Sequence, residues 1–392
     1  MAKMKKMSSR EKSRDLKLSP YLKFMITAGL CVIIIFAASF YEPFCDRYAA
    51  LIYPHIADFM GHLTANIPFP AGEIIMYATA LGVILIPVSA AGLLFFGKNK
   101  KYVKKCLYFY KIILAVFMTA LLIYGLNWFI VLRSSLLGHG SRIEREYTTE
   151  DLENVRNYFV KEINETAEIL ERDENGELIL PSKGEINEKT FLALNGISGE
   201  FERLSGYYPP IKPAFCSQIL HAMDIGGYTY PYTMEVTYND YVTDIYYPSL
   251  LSHEECHHKG YYRENEAVFL GCLSLMKSED SFLRYSGFIT AYGYMNKAFC
   301  DAVNSSYPKE EAKKIISDAP RLSKRVREDL DTAKKTADQK YEKEKNVPQN
   351  VLDSAKDASD TGWDTQAKVL DKDSYDGAVW LFLDYYLVKN NT

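Results

Sequence analysis

The first third of the chain carries three long apolar runs, whereas the remainder mixes apolar and polar positions. The runs predict helices over about 24–41, 74–96 and 112–132, each near the roughly 20 residues that a helix needs to cross a bilayer. Pro87 lies inside the second run, where a membrane helix tolerates it as a kink. Buried helices of a soluble core rarely stay apolar all round for this length. The pattern therefore predicts a membrane domain over 24–133.

The first run has a second interpretation, a cleaved signal peptide. Basic residues precede it, and Ala37, Ala38 and Ser39 lie near its end. Its apolar stretch exceeds the about 7–15 residues usual in a signal peptide, and two further runs follow. We therefore favour a retained membrane helix.

Lysine and arginine are distributed unevenly around the three runs. Seven of them fall within residues 1–17, and the loop GKNKKYVKK separates the second and third runs. Arg47 is the only one between the first two runs. Basic segments stay on the cytoplasmic side of a membrane. Residues 1–23 are therefore predicted to form a basic cytoplasmic tail, and 134–392 an extracytoplasmic domain of a multi-pass protein of the cell membrane.

The predicted extracytoplasmic domain is long enough to bury a substantial core, and its patterns are mainly helical. Thr148 or Thr149 is predicted to cap a helix that ends near Arg172. Sparse apolar positions at helical spacing over 308–345 predict a solvated surface helix. Aromatic and β-branched residues over 232–242 predict a strand. The expected fold class is a helical membrane anchor followed by a mainly α, α+β domain with a small sheet.

Composition contributes mainly by exclusion. The chain is 48% hydrophobic and 24% charged, with a mean hydropathy of -0.17, which argues against disorder. A net charge of -4 gives no electrostatic reason to expect nucleic acid as a partner. These averages combine a basic, apolar anchor with a polar domain, so they conceal both.

The most specific motif is H-E-x-x-H, formed by His253, Glu254 and His257. A helix predicted to begin near Ser249 or Ser252 would place both histidines on one face, where they can bind one zinc ion. Glu254 could then accept a proton from a zinc-bound water. Chance alone gives such a motif roughly 0.02 times in a chain of this composition. The alternative is that these histidines lie on a solvated helix face.

A third ligand must come from another segment. Gly260 is suited to end the motif helix, and the following YYRENEAVFLGCLSLM predicts a second helix with Glu264 and Glu266 in its first turns. Either carboxylate could return to the metal. Arg263 occupies the position of the third ligand in the metzincin pattern, and arginine cannot bind zinc. A glutamate ligand is therefore expected.

Two further predictions concern the surroundings of the motif. His258 is expected to point away from the metal, either at the surface or behind the ligands, and Cys256 to lie off the histidine face. The spacings of the seven cysteines fit neither C-x-x-C nor a zinc ribbon, so the sequence does not decide between disulfides and free thiols. Tyrosines crowd the chain from Tyr207 to Tyr262. A tyrosine or an arginine could stabilise a developing oxyanion, but the sequence selects no single residue.

The chain resembles a bacterial membrane-protein family of unknown function, numbered 3810. The resemblance rests on GYTYPYTMEVTYN, SHEECHHKGYYRENEAVFLG and LRYSGF, and on the ending SYDGAVWLFLDYY. It implies a few N-terminal membrane spans followed by H-E-x-x-H and an E-x-E-A element. The E-x-x-A form from Glu264 to Ala267 is also similar to the third-ligand segment of Glu-type, gluzincin-like zinc peptidases. That similarity favours Glu264 over Glu266 and implies a zincin-like metallopeptidase domain.

The leading hypothesis is a membrane-anchored zinc metallopeptidase. Zn2+ held by His253, His257 and Glu264 would activate a water, and Glu254 would take its proton before attack on a peptide carbonyl. The strand from Met234 to Tyr241 is expected to pair with an extended substrate through an exposed edge.

The expected partners of this enzyme are the lipid bilayer and a peptide or protein substrate, membrane-associated ones included. The alternative is a non-catalytic membrane receptor or assembly protein with a structural or degenerate zincin-like domain. Glu254 favours the enzyme, because a structural site needs no general base.

Overall fold

The computed structural model describes residues 18–135, 137, 147–370 and 377–388. Within these residues the protein is mostly helical and has one small sheet. Most of the predicted basic tail lies outside the described residues. The α-helices are α1 (Pro20–Ala38), α2 (Glu42–Leu51), α3 (Tyr53–Ala65), α4 (Ala71–Phe96), α5 (Lys100–Tyr124), α6 (Ile130–Leu132), α7 (Thr149–Ile169), α8 (Lys183–Gly196), α9 (Ser217–Ala222), α10 (Tyr247–His258), α11 (Glu264–Met276), α12 (Ser281–Ser306), α13 (Lys309–Asp318), α14 (Lys324–Glu344), α15 (Gln349–Leu370) and α16 (Ala378–Val388).

Three of the helical stretches are long and apolar enough to cross a membrane: α1, α4 and the continuous stretch Lys100–Leu132. The last of these joins α5 to α6 through a π-helix, Gly125–Phe129. It begins twelve residues earlier than the predicted 112. The side chain of Asn99 accepts hydrogen bonds from the N–H groups of Lys101 and Tyr102, so the basic loop itself starts the helix. The connection between α4 and α5 is therefore short.

Two helices that the hydropathy pattern did not indicate, α2 and α3, lie between the first two apolar helices. They share a buried core with α6 and with the distal part of the chain, in which Tyr53 packs with Ile130, Met234 and Tyr262. The Tyr53 hydroxyl donates a hydrogen bond to the carbonyl of His258 at 2.9 Å. Helix α3 is therefore packed directly onto the end of the H-E-x-x-H helix.

The sheet has three short strands, β1 (Lys212–Pro213), β2 (Gly227–Tyr230) and β3 (Glu235–Tyr238), in the order β1-β3-β2. β3 is parallel to β1 and antiparallel to β2, and all four of its residues are buried. The expectation that Met234 to Tyr241 offers an exposed edge is therefore wrong, because β3 has a partner on both sides. The residues before it form the β2–β3 turn, with the N–H of Met234 on the carbonyl of Tyr230.

The main hydrophobic core of the chain after α6 lies among α7, α11, α12 and α16. Phe159, Phe269, Phe288 and Phe382 meet at its centre, with neighbouring ring centroids 5.3–5.8 Å apart. α7 has the predicted start, because the Thr148 hydroxyl and the Asp151 carboxylate cap each other's backbone. α11 contributes to this core directly, and α10 packs against it through Cys256.

The surface helix predicted over 308–345 is two helices, α13 and α14, rather than one. Ala319 and Pro320 lie between them. Proline has no N–H to donate and disfavours helical backbone in the residue before it, so α13 ends at Asp318. The prediction of a solvated surface holds for most of both helices, with Ala312, Val326, Asp329 and Ala337 as their buried residues.

Candidate metal centre

The H-E-x-x-H motif occupies the second half of α10, and the chain then reverses into α11. α10 begins at Tyr247, slightly before the predicted start, with Pro248 in its first turn, where the missing N–H is no loss. Gly260 has a φ of +86°, and a Cβ there would approach the Tyr53 ring to 2.7 Å. This tight reversal brings the start of α11 beside the end of α10.

Three potential ligand atoms converge where the two helices meet. Glu264 Oε2 lies 3.3 Å from His253 Nε2 and 3.6 Å from His257 Nε2. Four ligands placed about 2.1 Å from a tetrahedral zinc ion are about 3.4 Å from one another. The spacing of the two imidazoles and the carboxylate therefore fits a zinc ion.

The orientation of the His257 imidazole is fixed by a backbone carbonyl. Its Nδ1 lies 2.8 Å from the carbonyl oxygen of Tyr261, which can only accept a hydrogen bond. Nδ1 therefore carries a proton, and Nε2 is left facing Glu264. Glu264 Oε2 is buried and has no hydrogen-bond partner. A cation among these atoms would satisfy that oxygen.

The three residues are also coupled electrostatically. Burial raises the pKa of a carboxyl, yet the imidazoles of His257 and His253 hold the pKa of Glu264 well below its usual range. Burial lowers the pKa of an imidazole, yet the Glu264 carboxylate raises the pKa of His257 to about 9. The carboxylate of Glu264 and the imidazole of His257 thus each stabilise the charged form of the other.

Glu254 lies on the wall of the same cavity as the three ligand candidates, a cavity of about 480 Å³. Burial raises the pKa of its carboxyl above the ordinary value. The hydroxyl of Thr229, on β2, lies 3.2 Å from Glu254 Oε2 and 2.8 Å from the Glu254 carbonyl oxygen. Strand β2 therefore holds the position of this acid.

Glu266 turns away from the histidines. Its Oε1 accepts a hydrogen bond from the N–H of Leu137 at 2.5 Å and lies 3.9 Å from the guanidinium of Arg263. Of the two glutamates that the sequence left open, the structure brings Glu264, rather than Glu266, to the histidine pair.

His258 points away from the three candidate ligands, as expected, but it is fully buried rather than at the surface. Its Nδ1 lies 2.9 Å from the carbonyl oxygen of Met234, and burial together with Lys259 lowers the pKa of His258 to about 3. A neutral imidazole is therefore packed between α10 and α3. Cys256 is also buried, in the main core, and all seven cysteines are free thiols.

A family model of proteins of unknown function, DUF3810, matches residues 48–356. The chain belongs to this family. The DUF3810 match includes α4, α5, the sheet, the H-E-x-x-H helix and Glu264. Comparisons with curated proteins and with solved structures gave no match. The resemblance found in the sequence motifs is thus confirmed for the family, which itself carries no assigned activity.

Three residues of the cavity wall in this DUF3810 member were missed by sequence reasoning: Gly227, Thr229 and Trp128. Trp128 stands near the end of the third apolar run, where aromatic residues commonly mark a membrane interface. Gly227 and Thr229 lie in the tyrosine-rich segment that carries the family resemblance. No spacing rule connects any of them to a motif 24 or more residues further along the chain.

Gly227 offers a test of the packing between β2 and Glu254. A Cβ there would lie 2.5 Å from the Thr237 carbonyl oxygen and 3.2 Å from Glu254 Cγ. We expect Gly227→Ala to lower the free energy of unfolding by about 1–3 kcal/mol, since backbone and acid would both have to move. Chemical denaturation of the full chain in detergent measures this.

Gly293→Ala is the matched control for that variant. Gly293 is exposed on α12, and a Cβ there meets nothing within 4 Å. Alanine should stabilise the helix by about 0.5–1 kcal/mol. A Gly227→Ala variant as stable as the parent would contradict the described contact.

Proposed function

We propose that this protein is a membrane-anchored zinc-dependent peptidase with a gluzincin-like site. The observation that carries the proposal is the convergence of His253, His257 and Glu264 on one point of a cavity that also contains Glu254. When bound there, zinc would lower the pKa of a bound water to about 7 and polarise a peptide carbonyl. The catalytic and ligand roles that follow are parts of this proposal.

In the proposed reaction Glu254 is the general base. It lines the cavity that His253, His257 and Glu264 also line. Glu254 takes a proton from the attacking water and delivers it to the departing amine, the role of a positioned carboxylate in general acid–base catalysis. Thr229 keeps the carboxyl in place through its hydroxyl group.

The substrate would bind along β2. β2 pairs with β3 on one side, and among the described residues no strand lies on its other side. The N–H of Asn239 bonds to the carbonyl of Gly226, so the alternation of an antiparallel ladder directs the backbone groups of Gly227 and Thr229 toward the open side. An extended peptide added to this edge would cross the cavity beside Glu254.

The proposal also assigns a location to the site. The basic segments at 1–17 and 97–105 would stay in the cytoplasm, which puts the site and the rest of residues 134–392 outside the cell membrane. A peptidase there would act on extracytoplasmic polypeptides.

The test uses the full chain reconstituted in lipid vesicles, with reduced and alkylated β-casein as an unfolded probe. We expect cleavage to stop with a zinc chelator and to return when about one equivalent of zinc is restored. Cleavage that survives chelation would contradict the zinc mechanism. A zinc-loaded chain that cleaves nothing would favour the non-catalytic receptor or assembly protein instead.

A further inference from the structure

Trp128 connects the third apolar helix to the candidate metal centre. It lines the same cavity as His253 and Glu254, although it lies four residues before the end of that helix, about 6 Å along the helix axis. Its ring centroid is 4.3 Å from that of Tyr262, and the Tyr262 ring stacks at 6.2 Å on His257. One wall of the site is therefore part of a helix suited to a membrane.

The backbone around Trp128 is adapted to this position. The segment Gly125–Phe129 is a π-helix, a form that inserts an extra residue into a turn and is frequent at functional sites. Asn127, in the apolar half of the third helical stretch, donates a hydrogen bond from Nδ2 to the carbonyl of Pro231 at 2.8 Å. Within this π-helix Asn127 is bonded to the β2–β3 turn and Trp128 lines the cavity.

The second apolar helix is fastened to the same sheet. Glu235, on β3, accepts hydrogen bonds from the N–H groups of Ala71 at 3.1 Å and Gly72 at 2.6 Å, at the start of α4. In return Glu73, on α4, accepts one from the N–H of Cys216 at 2.7 Å. The start of α4 is therefore bonded to β3, the strand that pairs with β2 at the cavity wall.

Aromatic side chains surround this junction. Tyr124 stacks on Trp128 with centroids 6.2 Å apart, and Tyr230 pairs with Tyr232 at 5.3 Å in and beside the β2–β3 turn. Tyrosine and tryptophan favour the boundary between lipid and water. This composition is the one expected where a polypeptide leaves a bilayer, and the junction includes one wall of the cavity.

We infer that the substrates are proteins anchored in the same membrane, cut in the extended segment that follows their anchor. This inference rests on the proposed peptidase function and names its substrate class. A tail that emerges beside Trp128 reaches the open edge of β2 within a few residues. Anchoring also raises the local concentration of that tail at the site, whereas a soluble peptide must first reach the bilayer surface.

The test compares two probes on the full chain in vesicles of phosphatidylethanolamine and phosphatidylglycerol. One probe is an unrelated apolar helix followed by a flexible tail of about 40 residues, and the other is the same tail without the helix. We expect the anchored tail to be cut about tenfold faster or more at equal concentration. Mass spectrometry should place its cuts within about 15 residues of the helix. A few residues bring the tail to the cavity, and the following extended residues cross it.

The outcomes separate this inference from the proposed function. Equal rates for the two tails, cuts spread evenly along the anchored tail, or cleavage of β-casein without cleavage of the anchored tail would each overturn the inference alone. A chain that cuts neither tail and no β-casein would overturn the proposed function, and the inference with it.

A second readout requires no activity. The variant Trp363→Phe, Trp380→Phe leaves Trp128 as the only tryptophan of the three in the chain. We expect lipids brominated near the headgroup end of their acyl chains to quench its fluorescence strongly. Fluorescence that such lipids leave unchanged would place the cavity wall away from the bilayer and overturn the inference.

Discussion

Replacing Glu264 with alanine is expected to weaken zinc binding to the purified full chain about 100-fold or more. Removal of a partner behind a ligand already costs 10–100-fold in metal affinity, and Glu264→Ala removes the proposed ligand itself. Glu264 Oε2 lies within 3.6 Å of both imidazoles, so its loss would leave only His253 and His257 at the site. Competition with a chromogenic chelator of known affinity measures the change.

Glu266→Ala is the matched control, because Glu266 is also an acidic residue in the first turn of α11. Its carboxylate is bonded to the N–H of Leu137 rather than directed at the histidines. We expect Glu266→Ala to keep parental zinc affinity and to lose about 1–3 kcal/mol of stability instead, since a partly buried N–H would lose its acceptor. The reverse pattern, with zinc lost only in Glu266→Ala, would refute the choice of third ligand.

Glu254→Gln is expected to lower peptide cleavage by roughly 10²–10⁴-fold while zinc content stays at the parental level. Glutamine has the shape of glutamate and can keep the contact with Thr229, but it cannot take a proton from water. Initial rates of β-casein cleavage, measured beside the zinc content of the same preparation, give the two quantities together.

Glu255→Gln is the control for that variant. Glu255 is the next residue on α10 and is fully buried, but it is not among the residues that line the cavity. We expect parental rates from Glu255→Gln. If Glu254→Gln cleaves as fast as the parent, Glu254 is not the general base; if it loses zinc, the variant does not isolate that role.

Local patterns in the sequence predicted the helices that carry the site. The apolar runs, the i,i+4 spacing of His253 and His257, and the helix after Gly260 each depend on a few neighbouring residues. The choice between Glu264 and Glu266 did not follow from that reasoning. Glu264 and Glu266 are two positions apart on α11, which separates their directions around the helix axis by about 200°. Only one of them can therefore face the histidines. The E-x-x-A resemblance favoured Glu264, and the tertiary contacts place that residue there.

The parts that sequence reasoning missed depend on contacts between distant segments. Asn127 contacts the β2–β3 turn across about a hundred residues, and no periodicity in the sequence records that contact. β3 was recognised as a strand, but its place in the middle of the sheet depends on two partners that are each only a few residues long. Such short strands have weak sequence signals of their own.

The most direct test of the metal centre is zinc K-edge absorption spectroscopy on the purified full chain. We predict one zinc per chain with two imidazole nitrogens and at least one carboxylate oxygen at about 2.0–2.2 Å, and no sulfur. A chain purified in zinc-containing buffer that holds no zinc, or a spectrum with sulfur at about 2.3 Å, would contradict this prediction.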